Sequence, residues 1–325
     1  MSRIDAHIHF EGEHEEFVRQ LEAWELKLLN TIGGVEDPGW RERRAVPYAR
    51  LARTQPQRFA WITSFDLPGF GDPEYAERAI EGLRRDFEAG AVGCKIWKTY
   101  GMGLRDPEGR HVLVDHPILE PIVSFVERSG KTLLMHIAEP QGCWQPLGPD
   151  NQYSGFYEKH PDKYMHGRPE MPSHAELIAS RDRVVERHPK LRVVGAHLGS
   201  LEYDATELAR RFERYPNFAV DTSGLARAAD LGKQDRARVR RLFEDFPDRI
   251  LFGSDQHATA EDAASPEGRR TALERIRAGH AAAFAYYETD RVLELRGRSI
   301  QGLALPDAIL KGLYLENARR WYPGL

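Results

Sequence analysis

The sequence predicts an α/β fold of the (β/α)8 TIM-barrel class, and three observations point there. Eight short apolar runs lie at residues 4–10, 26–32, 59–65, 91–98, 132–138, 191–197, 218–222 and 250–255, and they read as buried strands. Most of the intervals between them carry helical patterns, and strands joined through helices run parallel with right-handed crossovers. Eight such units before residue 256 suit a closed barrel. The competing fold, a doubly wound sheet, would carry Gly-x-Gly-x-x-Gly after its first strand, and none is present there.

The elements follow in order. In the first run, strand alternation places Asp5, His7 and His9 on one face and Ile4, Ala6, Ile8 and Phe10 on the other. The two imidazoles then project the same way, roughly 6.5 Å apart at about 3.3 Å per residue, a gap that two nitrogens can close onto one metal ion. Residues 11–21 read as a short helix from the spacing of Phe17, Val18, Leu21 and Trp24. The second strand stops at Gly33-Gly34, residues 47–54 are helical in pattern, and Asp66 and Pro68 end the third strand. An amphipathic helix over 73–89 opens at Asp72-Pro73 and closes at Gly90. The fourth strand follows, then a helix over 115–129 capped by Gly130, then the fifth strand. Ser173 and Glu176 form a capping box that starts a helix running to residue 188. After the sixth and seventh strands come helices over 205–215 and 234–246, the second with an arginine-rich solvated face. Residues 258–325 are helical in pattern, and the apolar spacing of 310–321 is expected to close the barrel beside the first strand. With no linker and no internal repeat, residues 1–325 read as one domain.

Composition narrows the function. The chain has 325 residues, a formal net charge of −4 and two cysteines, Cys94 and Cys143. That balance makes no electrostatic case for nucleic acid or an anionic membrane as partner, and two cysteines suit a reducing compartment. With no apolar signal region at the start and no run of about 20 apolar residues, the expectation is a cytoplasmic protein that acts on a small-molecule substrate. A homo-oligomer is expected on general grounds.

In such barrels the site is built where strands end at the C-terminal face. His7 and His9 end the first strand, Lys95 lies late in the fourth, His136 ends the fifth, His197 the sixth and Asp255 the eighth. Each alone has a plain structural explanation, as a hydrogen-bonded core histidine or a helix cap. Their gathering at one edge of five strands is what points to a metal site, since lone polar groups in apolar runs are costly to bury.

The set Asp5-x-His7-x-His9, His136, His197 and Asp255 resembles the amidohydrolase superfamily of metal-dependent barrel enzymes. Glu316-Asn317-Ala318-Arg319-Arg320 also resembles the end of the branch that includes aminocarboxymuconate semialdehyde decarboxylase. The resemblance runs from Ile4 to Trp321. It implies one or two divalent ions per chain, zinc first, with manganese, iron or cobalt as alternatives. His7, His9, His136 and Asp255 are the implied ligands. His197 is expected to bind a second metal or to polarise substrate and move protons, and Asp255 to act also as general acid and base. Lys95 is expected either to bridge two metals as a carbamate or to face a substrate carboxylate, and the second is favoured. The leading activity is hydrolysis of a C–N or C–O bond in a small polar or carboxylated substrate by metal-activated water. The alternative is metal-dependent, non-oxidative decarboxylation, and a more distant one is an inactive barrel serving as a scaffold. The long polar segment 139–172 is expected to cover the site, with Trp144 and Arg168 as substrate contacts; an oligomer contact is the competing use. Tyr100 and Arg105 are weaker candidates of the same kind.

Overall fold

The structure, a computed structural model, describes residues 2–11 and 15–325. Its eight parallel strands are β1 Arg3–Phe10, β2 Leu26–Thr31, β3 Phe59–Ile62, β4 Gly93–Ile96, β5 Thr132–Met135, β6 Arg192–Gly195, β7 Phe218–Asp221 and β8 Ile250–Leu251. They form two arcs, β3-β2-β1 and β4-β5-β6-β7-β8. Backbone hydrogen bonds join the arcs at both seams. Between β3 and β4, Thr63 donates to the Gly93 carbonyl at 3.0 Å and Lys95 to the Thr63 carbonyl at 2.8 Å. Between β8 and β1, Ala6 donates to the Phe252 carbonyl and Asp255 to the His7 carbonyl, each at 2.8 Å. Closure pairs the edges that an open sheet would leave bare. A further short strand, β9 His257–Ala258, lies parallel to β1 with His257 opposite His9.

Strict alternation fails in β1, and the departure matters for the site. Asp5 pairs with Leu28 and Ile8 with Asn30, three steps against two, which is a β-bulge. One extra residue changes the phase of every side chain beyond it. Ile4 and Ala6 therefore pack inside the barrel with Leu134, Val194 and Ala219. Ile8 and Phe10 pack outside, against Phe17, Leu21 and Ile276. Asp5 points away from His7 and His9, toward the helix Pro266–Glu288, where its Oδ2 lies 2.8 Å from His280 Nε2.

The helix expected over 11–21 starts at Glu15, and residues 12–14 of that expectation lie outside the described residues. The capping box at Ser173 and Glu176 forms and opens the helix His174–Arg187. Most strands are shorter than their apolar runs, because the last residues of each run turn out into loops at the C-terminal face. His197 shows this: β6 stops at Gly195, and His197, Leu198 and Ser200 all have positive φ. Such conformations are strained for residues other than glycine.

Residues 258–325 are not wholly helical as expected. After the helix Pro266–Glu288 comes an antiparallel hairpin, β10 Val292–Leu295 and β11 Arg298–Gln301. Its turn, Arg296 and Gly297, has φ of +53° and +71°, values a right-handed helix cannot contain. Downstream, Asn317 donates to the Ile250 carbonyl at 2.7 Å and Trp321 to the Asp248 carbonyl at 2.7 Å, tying the chain's end to β8. No helix among the described residues is long and apolar enough to cross a membrane.

Candidate metal centre

His7 is oriented from below. It donates Nδ1–H to Asp221 Oδ2 at 2.8 Å, and both side chains are buried. The other Asp221 oxygen accepts the His197 and Ser223 backbone N–H groups, at 2.9 and 3.1 Å, and the Ser223 hydroxyl. Burial alone raises the Asp221 carboxyl, but His7, His197 and Ser223 bring it down to about 2. This fixed anion holds the proton on His7 Nδ1 and leaves the lone pair on Nε2, the nitrogen that faces Asp255 and Lys95. Gly253 makes room for the arrangement: a Cβ there would lie 2.9 Å from His7 Cβ and 3.2 Å from Ser223 Cβ. Asp5 ties β1 to the loop after β8 by accepting from Ser254 N at 2.9 Å and His7 N at 3.2 Å.

Asp255, at φ +52°, is the hub. Its Oδ1 lies 3.4 Å from His9 Nε2, 3.6 Å from His7 Nε2 and 3.8 Å from His257 Nε2. Desolvation raises the Asp255 carboxyl, but His197, His9 and His7 outweigh it and hold the carboxyl well below its ordinary range. Among the described residues, two groups have ligand atoms all within 4.8 Å of one another: His7, His197 and Asp255, and His9, Asp255 and His257.

His136, expected as a ligand, falls outside both groups but borders them. Its ring lies edge-on to His197 with centroids 4.3 Å apart, and to Trp97 at 4.6 Å. Its Nδ1 is buried with no hydrogen-bond partner among the described residues. Leaving such an atom unmet costs about 1–3 kcal/mol, which a bound cation would relieve. Burial is the main cause that keeps His9 and His136 well below the usual imidazole range and takes His197 down to about 4. Neutral imidazoles around one ionised carboxylate are the donor state that divalent metals need. The residues present therefore fit a divalent ion.

Lys95 is fully buried beside His7 Nε2, not on the cavity wall. Its Nζ is 3.0 Å from His7 Nε2 and 3.3 Å from Thr31 Oγ1, so it faces a metal-ligand candidate where a substrate-facing cation was expected. Burial lowers this amine to about 8, against the opposing pull of Asp255 and Asp221. Trp144 and Arg168 are also placed elsewhere. Trp144 donates Nε1–H to the Pro172 carbonyl, and Arg168 donates to the carbonyls of Pro161 and Asp162, so both brace their own segment. The segment does reach the site, through Tyr153, Phe156 and Tyr157, which the helical turn Ser154–Tyr157 directs at the cavity. Tyr100 is buried against Tyr75, and Arg105 donates to the Gly109 carbonyl.

A cavity of about 750 Å³ is floored by four of the candidate ligands, His9, His136, His197 and Asp255. Two residues there were not foreseen. His257 stacks on His9 with centroids 4.5 Å apart and planes 13° apart. The one available signal was Asp255-x-His257, a copy of the Asp5-x-His7 spacing. Arg227, from the helix Leu225–Leu231 after β7, is buried in the wall, with Glu202 Oε2 and Asp230 Oδ2 at 3.7 and 3.5 Å. Those lengths exceed ordinary hydrogen bonds, and Arg227 Nε and Glu202 Oε2 have no hydrogen-bond partner among the described residues. A single arginine in the first turn of a short helix carries no motif, so the sequence does not mark it.

A family model described as amidohydrolase matches residues 4–324. Comparison with curated protein sequences finds no match. Among solved structures, the chain is similar to a TIM-barrel protein from Bordetella bronchiseptica at 14% identity, covering 100% of this chain and 99% of that one with a TM-score of 0.57. It is similar to 2,6-dihydroxybenzoate decarboxylase from Rhizobium at 17% identity, over 99% and 98% of the two chains, with a TM-score of 0.58. A dihydroxybenzoic acid decarboxylase from Polaromonas, with bound manganese and the inhibitor 2-nitroresorcinol, matches at 17% identity, 99% and 96% coverage and a TM-score of 0.57.

Proposed function

The chain belongs to the amidohydrolase family, and from that premise we propose that it is a metal-dependent carboxy-lyase, releasing carbon dioxide from a small carboxylated substrate. The observation that carries this reading is Arg227, a buried cation on the cavity wall whose N–H groups are not used up by Glu202 and Asp230. Arginine matches a carboxylate with paired N–H groups. The names of the similar decarboxylases reverse the order of the two activities read from the sequence and set carboxy-lyase ahead of hydrolase.

His7, His9, His136 and Asp255 would hold the divalent ion, manganese or zinc, with His197 beside them. When bound, the ion neutralises and polarises the substrate's oxygens. The rest is the work of the chain. Asp221 keeps His7 in one tautomer, and Arg227 orients the carboxylate. The carbon–carboxyl bond breaks, its electron pair stays on the substrate carbon, and a proton takes the place of carbon dioxide. Asp255, ionised at the cavity floor, takes that proton from solvent water and delivers it to the carbon that kept the electron pair, with the neutral His197 as the second carrier. Tyr153, Phe156 and Tyr157 supply apolar surface for the substrate body.

The test is a panel of carboxylated aromatics, 2,6-dihydroxybenzoate first, incubated with manganese- and zinc-loaded protein, with carbon dioxide as readout. Amides, esters and lactones form a parallel panel. Carbon dioxide from one panel and no cleavage in the other supports the proposal; turnover confined to the second panel overturns it.

A further inference from the structure

Among the described residues, four Lys and Arg side chains line the cavity. Arg44 donates Nε–H to Glu11 Oε1 at 3.0 Å and reaches the Gly33 carbonyl. Lys98 is paired with Glu139, and Arg227 faces Glu202 and Asp230. The fourth, Arg296, is exposed at the turn of the β10–β11 hairpin and has no ion pair or hydrogen bond to any described residue.

Local folding does not explain an arginine here. Leu295 pairs with Arg298, so Arg296 and Gly297 form a two-residue turn with both φ values positive. Turns of that type favour Asn-Gly or Asp-Gly, and arginine at the first position is conformationally costly. The hairpin also holds its tip firmly in place. Leu295 and Ile300 are buried in the main core, and a Cβ at Gly232 would lie 2.3 Å from Ile300 Cγ2. At the base, Arg236 donates to the Gly302 carbonyl at 2.8 Å. A rigid two-stranded arm therefore presents one uncompensated positive charge to a cavity whose other cations face carboxylates.

We infer that Arg296 selects ligands with a second anionic group, remote from the carboxylate that reacts, so that the preferred substrate class is a dianion such as an aromatic dicarboxylate. The inference rests on the reading of the cavity as a site for carboxylated molecules. Being exposed, the arginine acts through a screened field and favours dianions in capture as well as in affinity.

Titration calorimetry of the metal-loaded protein with benzoate, isophthalate and terephthalate tests this without any turnover. The wild type is expected to bind at least one dicarboxylate about five-fold more tightly than benzoate, the yield of one exposed charge pair, with the preference shrinking as salt rises. Arg296→Asn suits the turn better than the native residue, so it removes the charge without loosening the hairpin. It is expected to abolish the preference and leave benzoate binding within two-fold, whereas Arg296→Lys keeps most of it. Equal binding of all three acids by the wild type, or an undiminished preference in Arg296→Asn, overturns the inference. A protein that prefers dicarboxylates but releases no carbon dioxide refutes the carboxy-lyase reading alone.

Discussion

Asp221→Asn is the substitution that probes the site most finely. The native carboxylate accepts one bond from His7 Nδ1–H on one oxygen and three from His197 N, Ser223 N and Ser223 Oγ on the other. An amide at the same place has one accepting oxygen, and three donors against one keep it on the His197 side. Its NH2 group then meets His7 Nδ1–H, donor against donor. The ring answers by moving its proton to Nε2, which removes the lone pair that faces Asp255 and Lys95. Losing an orienting partner of this kind costs about 10–100-fold in metal affinity, or about 1.4–2.7 kcal/mol. Competition with a chelating dye for manganese and zinc measures it, with circular dichroism to confirm that the barrel still folds. Unchanged affinity in a folded Asp221→Asn protein would show that His7 is not a ligand through Nε2 and would refute the reasoning.

Four further expectations follow from the same geometry. Gly253→Ala places a methyl group 2.9 Å from His7 Cβ and should cost about 1–3 kcal/mol in chemical unfolding together with part of the metal affinity; an unaltered midpoint and metal content would contradict this. His174 is buried and brought down to about 4, chiefly by burial. Its folded value lies below the unfolded one, so its contribution is complete above about 6.5 and is lost as pH falls toward 4, to a total of about 3 kcal/mol. His174→Gln should flatten stability against pH across that window, and an unchanged slope would count against it. Arg168→Ala should leave kcat/KM within two-fold, because the side chain is spent on the Pro161 and Asp162 carbonyls; a larger loss would return it to the substrate. Asp255→Asn should lower kcat by about 10²–10⁴ if the carboxylate carries the proton, and near-wild-type turnover in a metal-loaded variant would remove it from that role.

The barrel was readable because most strands are short apolar runs buried on both faces, such as Val193-Val194 and Leu133-Leu134, and they recur between longer stretches of helical period. The site residues stood out against those same runs. What the sequence hid falls into three physical kinds. The bulge between Asp5 and Ile8 depends on register with β2, a property of two strands that one strand's residues do not encode, and it sent Asp5 to His280 instead of to the face that carries His7 and His9. The short pieces β9 and the β10–β11 hairpin are only two to four residues long, too brief for period 2 to emerge from the helical pattern around them. The third kind is choice among similar side chains in a loop. Trp144 and Tyr157 lie in one aromatic-rich segment, and only the fold of that segment decides which faces the cavity. Lys95 was visible as a charge on β4, but its burial against His7 Nε2 follows from packing that involves Thr31 on a different strand.

The most direct measurement is carbon dioxide yield from a carboxyl-labelled substrate as the stripped protein is titrated with manganese. The account predicts no release from stripped protein, a rise in proportion to bound metal, and no release at any metal level from a variant that lacks both His7 and Asp255. Label released from the metal-free chain, or full activity in that variant, would contradict it.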